Sequence, residues 1–170
     1  TNQAIPVICS DASGGAIVAW VDSRDVATAS VDIYAQRMSA SGALLWAPGG
    51  VPVCTALGQQ ILNGADFGLI WVLQSSDGQS NAIVPDGAGG CLLTWVDRRG
   101  LSDDIYSQRI TATGSVAAGW PANGVLMCTD PANQDGASLV PDGSGGAIGT
   151  WREASRPAPY AQHVSGAAGG

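Results

Sequence analysis

Six apolar residues in a row, Ala16-Ile17-Val18-Ala19-Trp20-Val21, follow a Gly-Gly pair and end at Asp22. An unbroken apolar run of this length, bounded by turn residues, predicts a strand buried on both faces. The same phrase returns twice: GGAIVAWVD from Gly14, GGCLLTWVD from Gly89 and GGAIGTWRE from Gly145. Each copy follows an Asp-led turn signal, DASGG from Asp11, DGAGG from Asp86 and DGSGG from Asp142. The glycines of such turns supply the positive φ angles that tight hairpins need. Downstream the pattern changes to alternation. Tyr34, Gln36 and Met38 face one way and Ile33, Ala35 and Arg37 the other, and Tyr106, Gln108 and Ile110 oppose Ile105, Ser107 and Arg109 in the same manner. That period of two predicts a further strand.

Two more elements complete the unit. An apolar stretch ahead of each Asp-led turn, such as ASLVPDG from Ala137, predicts a first strand. A segment carrying Trp46 or Trp120 and ending in Gly-Val-x-x-Cys at Cys54 or Cys128 predicts a fourth. The landmarks recur in one order, so the chain is an internal repeat. A unit of about 50 residues with four short antiparallel strands has the size of a β-propeller blade. The expected fold is all-β, with blade-like repeats over residues 1–60 and 80–134, an insertion over 61–79, and a partial third repeat over 135–170. In this reading the recurring phrase is the inner strand of each blade.

The series D-G-x-G-G, W-x-D-x-R, D-I-Y-x-Q-R, a Trp and then G-V-x-V-C resembles propeller-type repeats of large secreted or surface proteins of bacteria. The resemblance covers nearly the whole chain apart from about residues 61–79. It implies an extracellular or cell-surface, repetitive β-protein. The third copy departs from the pattern: Arg152 and Glu153 replace Val-Asp, and PYAQH at Pro159 lacks the Asp-Ile of DIYAQR and DIYSQR.

The repeat breaks in two places. Gln3 precedes Asp11 by the interval that separates Gln134 from Asp142, whereas Gln60 lies much further from Asp86. The extra segment contains FGLIWVL from Phe67. It is expected either to fold over its own blade's edge or to serve as a subunit contact through Phe67, Ile70 and Trp71, since exposed apolar patches mark interfaces. The second break is the missing fourth strand of the third repeat. An open blade edge leaves N–H and C=O groups unpaired. Its expected completion comes from another copy, as a ring or a fibre, or from further repeats of a longer protein.

Composition narrows the function. The 170 residues carry a net charge of −7, with seven basic residues that are all Arg and a single Glu (Glu153) among fourteen acids. Lys and Glu suit solvated helix faces, so their near absence argues against surface helices. The acidic balance repels polyanions, so no nucleic-acid partner is expected. No apolar run reaches the roughly 18 residues that span a bilayer, so membrane insertion is not expected. Four cysteines without a CxxC pair or a Cys/His cluster exclude a zinc signature and leave buried thiols or one disulfide as alternatives.

The most suggestive polar residues sit after the recurring phrase: Asp22, Arg24, Asp32, Asp97, Arg99, Asp103 and Asp104. Paired carboxylates can perform glycoside hydrolysis, but a catalytic pair needs a unique environment. These recur from unit to unit, so they read as structural Asp–Arg pairs. Calcium is the lesser alternative, and no other cofactor is expected. Arg37 and Arg109 lie mid-strand and require acceptors, and His163 stands at their place in the third copy. Trp46 and Trp120, flanked by Gly, Ala and Pro, are the candidates for exposure and for stacking on a glycan. The leading expectation is a non-catalytic extracellular structural or adhesion module that self-assembles through its open edge. The alternatives are a lectin-like module and a fragment of a propeller glycoside hydrolase.

Overall fold

The computed structural model describes residues 3–25, 30–62, 81–153, 155–156 and 158–167. Phe67, Ile70 and Trp71 lie outside the described residues. Twelve strands and no α-helix are found among those described. They form three antiparallel sheets with one common plan. The first unit joins β1 (Gln3–Ser10), β2 (Ala16–Asp22), β3 (Asp32–Met38) and β4 (Val51–Cys54) in that order. In the second, β5 (Gln60–Ile61) and β6 (Ile83–Pro85) both pair with β7 (Cys91–Asp97), followed by β8 (Asp104–Ile110) and β9 (Val125–Leu126). The third holds β10 (Gln134–Pro141), β11 (Ala147–Glu153) and β12 (Tyr160–Val164).

The registers coincide from unit to unit. Trp20 pairs with Tyr34, Trp95 with Tyr106 and Trp151 with Tyr160. The first strand of units 1 and 3 carries an irregularity at one place, between Ala4 and Val7 and between Asp135 and Ser138. In unit 2 the insertion enters at that place. Ile61 pairs with Val96, and the strand resumes where the Ala82 carbonyl accepts from the Thr94 amide at 2.9 Å. A bulge already interrupts the ladder there, so an added loop costs no further strand pairing.

The sheets pack face to face through two apolar clusters. Ile17, Ala19 and Val21 of β2 meet Cys91, Leu93 and Trp95 of β7 in one; Leu92 and Val96 of β7 meet Ala147 and Trp151 of β11 in the other. Successive strand residues point to opposite faces, so only a sheet with neighbours on both sides buries every position. This refines the expectation of double burial. It holds throughout β7, whereas β2 and β11 alternate between buried and more exposed positions.

A second correction concerns the fourth strand. β4 and β9 begin after Trp46 and Trp120, which sit in the connections ahead of them. Nor are these indoles exposed: Trp46 is 7% and Trp120 6% accessible. Each joins an inter-sheet cluster, because a large aromatic gains more from burial between two sheets than its Gly/Ala/Pro neighbours suggest.

Candidate functional site: the repeated Asp–Arg corners

Two polar corners recur, one at each end of the central strand. The first is built on the Asp-led turn. Asp11 Oδ1 accepts from the Ser13 amide at 2.8 Å and the Gly15 amide at 2.7 Å. Asp86 does the same for Ala88 and Gly90, and Asp142 for Ser144 and Gly146. A Cβ at Gly15 would lie 2.1 Å from the Met38 carbonyl oxygen, so the second glycine of each phrase is required by close approach.

The other carboxylate oxygen takes the mid-strand cation. Arg37 Nε donates to Asp11 Oδ2 at 3.0 Å and Arg109 Nε to Asp86 Oδ2 at 3.1 Å. His163 Nε2 lies 2.7 Å from Asp142 Oδ2, in the same place. The Ser13 amide, with help from Arg37, holds the Asp11 carboxyl below the usual range; at Asp142 the His163 contact is the leading cause of the same shift. These arginines also reach into the next unit. Arg37 Nη1 donates to the Ala112 carbonyl at 3.2 Å, and Arg109 Nη1 donates to the carbonyl of Gly166. Trp46 Nε1 reaches the Ala112 carbonyl as well, at 2.9 Å.

The second corner follows the recurring Trp-x-Asp-x-Arg spacing. Asp22 and Asp97 are fully buried. Trp20 Nε1 donates to Asp22 Oδ2 at 2.8 Å, and Trp95 Nε1 to Asp97 Oδ2 at 2.8 Å. Arg24 and Arg99 each close a 2.6 Å ion pair onto the same oxygen. Each guanidinium also donates to a loop carbonyl, Gly49 or Asn123, and lies over a tyrosine ring, Tyr34 at 3.6 Å or Tyr106 at 3.9 Å. This combines a charge-assisted hydrogen bond with cation–π contact. The Arg24 contact drives the Asp22 carboxyl far below its ordinary range.

Asp32, paired across the ladder with Asp22, moves the other way: burial raises it, and the nearby Asp25 and Asp22 charges add to the rise. Two carboxylates with opposed shifts are what acid–base catalysis uses. Here Asp22 is saturated, because Oδ1 accepts from the Arg24 amide and Oδ2 from Trp20, Gln3 and Arg24. Both of its oxygens are engaged by the protein, and the side chain is fully buried. Asp104 accepts from Ser102, and Asp103 pairs with Arg98 at 2.9 Å. Among the described residues no group of three or more His, Cys, Asp or Glu side chains converges on a metal position.

The third unit shows what a changed residue costs. Glu153 replaces the aspartate, and its added methylene leaves Trp151 Nε1 without a partner among the described residues. Glu153 is held instead by Ser155 at 2.6 Å and Arg156 at 3.5 Å. All four cysteines are free thiols.

Sequence reasoning missed the seat of Trp46. A Cβ on Gly114, at φ +83°, would stand 2.9 Å from Trp46 Cγ, so the indole lies directly on this glycine. The signal was a recurring quartet, Ser39-Ala40-Ser41-Gly42 and Thr111-Ala112-Thr113-Gly114. No family model, curated protein or solved structure matches the chain, and the reading of these corners rests on their own geometry.

Proposed function

We propose that this chain is a non-catalytic structural or adhesion module of a propeller-like repeat array, acting at the cell surface or outside the cell, and that it associates through an unfinished sheet edge. The observation that carries the reading is that the recurrent polar residues end on the protein itself. Asp11, Asp86 and Asp142 cap their own turns, and Arg37 and Arg109 tie each sheet to a carbonyl of the next. A catalytic or ligand site would leave such groups facing a cavity. β12 supports the association. Among the described residues it pairs only with β11, whereas β3 and β8 at its position also pair with β4 and β9, and Ala161, Gln162 and His163 are exposed. An unpaired edge accepts an added strand through backbone hydrogen bonds.

Light scattering and negative-stain microscopy test this directly. The expected result is rings or fibres that disappear in Ala161→Lys, since a charge on an edge strand blocks pairing. A chain that stays monomeric at high concentration, or assemblies indifferent to Ala161→Lys, would overturn it.

A further inference from the structure

A different surface, independent of the β12 edge, carries a second inference. In units 2 and 3 the upstream face of the sheet is covered by the unit before it. Ile83 on β6 is 4% accessible and Leu139 on β10 1%, both inside the inter-sheet clusters. Ile8, at the same distance before the Asp-led turn of unit 1, is 66% accessible. The central strands agree. Leu93 and Trp95 are buried against unit 1, while their counterparts Val18 and Trp20 remain partly exposed.

The polar features of a covered face are present on unit 1 and unfilled. On unit 2, a Cβ added at Gly89 would stand 3.4 Å from the Arg37 guanidinium and one added at Gly114 2.9 Å from the Trp46 indole; between them the Ala112 carbonyl accepts from both side chains. On unit 1 the corresponding residues are Gly14, Gly42 and Ala40. Among the described residues a Cβ at Gly14 would meet only Ala40, and one at Gly42 would meet nothing within 4 Å, although Gly42 has the same φ of +83° as Gly114. The glycine is in place, and no indole of the described residues lies on it.

We infer that the upstream face of unit 1, around Ile8, Gly14, Ala40 and Gly42, is a docking socket for the Trp–Arg corner of another blade of this kind. The indole of that blade lies on Gly42, its guanidinium reaches over Gly14, and both donate to the Ala40 carbonyl. Its apolar strand covers Ile8, Val18 and Trp20. A second copy of this chain does not supply the corner. Arg37 and Trp46 are engaged on unit 2, Arg109 is engaged on unit 3, and unit 3 itself carries His163 in place of the arginine.

The test adds a blade and asks whether Gly42 becomes a contact. A copy of residues 3–59 is placed directly ahead of Gln3, so that Gln3 follows Gln59 as Gln60 does. Gly42→Ala is then compared in the chain as it stands and in the original unit 1 of the extended chain, by urea unfolding. In the chain as it stands, Gly42→Ala lowers the folded-to-unfolded ratio only by the strain of a left-handed Cβ. In the extended chain it lowers that ratio about tenfold more, as Gly114→Ala does, because the Cβ now meets an indole. Equal losses in both chains would overturn the proposal, and so would a dimer of the unextended chain that Ile8→Asp dissolves. If the extended chain does not fold, the existing interface decides. Trp46→Ala must erase the difference between Gly114→Ala and Gly42→Ala; a difference that persists removes the indole-on-glycine contact from which the socket is argued.

Discussion

Trp46 and Trp120 occupy one position in two successive units, are buried to nearly the same degree, and differ in the hydrogen bonding of the indole. Trp46 Nε1 donates to the Ala112 carbonyl, whereas Trp120 Nε1 has no partner among the described residues. Replacing each by Phe separates the hydrogen bond from the packing. Both substitutions remove a similar volume from an inter-sheet cluster, a shared cost of about 1–2 kcal/mol. Trp46→Phe also loses a hydrogen bond worth about 1 kcal/mol, while the Ala112 oxygen keeps its Arg37 donor. Trp120→Phe instead removes a buried, unpartnered donor whose desolvation costs the native protein about 1–3 kcal/mol. The second change is therefore close to neutral, and the first is worse than it by about 3 kcal/mol. Urea unfolding followed by far-ultraviolet circular dichroism, with m shared across the series, measures the difference; the melting temperatures separate by about 2–4 °C for each kcal/mol. A Trp120→Phe loss as large as that of Trp46→Phe would refute the reasoning.

Two further outcomes follow from the charge environments. Asp11, Asp22 and Asp142 are held below the ordinary carboxylate range, so the unfolded chain takes up their protons first and their contribution is present above about pH 4 and lost as pH falls below it. Asp32, raised by burial, works in the opposite sense, but three lowered groups face one raised one. Melting temperatures are expected to be level from pH 8 to about pH 5 and to drop below about pH 4, with a shallower drop in Asp22→Asn; a profile that rises on acidification would contradict this. The thiols are expected to divide by how far desolvation disfavours the thiolate. It pushes Cys9 and Cys54 up to about 12 and also raises the fully buried Cys91, whereas the Cys128 sulfur, half-buried like that of Cys9, accepts a hydrogen bond from the Asp130 amide. Thiol-reagent labelling of the native protein at pH 8 should show one fast group, abolished by Cys128→Ser; two or more fast groups would count against it.

Much of this was legible in the chain alone. The phrase at Gly14, Gly89 and Gly145 determined three units, their strands and their turns, because hydrophobic period and glycine placement act locally on the backbone. The demand that Arg37 and Arg109 find acceptors, and the place of His163 as their substitute, also follow from sequence, since a charge in a sheet must be partnered whatever the fold. What only the tertiary structure decided is which faces meet. The same apolar run is buried on both faces in β7 and on one in β2, because burial depends on a neighbouring sheet that the run does not encode. Trp46 and Trp120 looked exposed for the same reason: their flanking Gly, Ala and Pro describe a loop, while the surface that covers the indoles comes from the next unit, more than 60 residues further on in the case of Trp46 and Ala112. Gly42 and Gly114 are alike in sequence and in φ, and differ only in whether another unit lies against them. Local physics writes the unit; contact between units, set by stacking order, decides which of its surfaces is core.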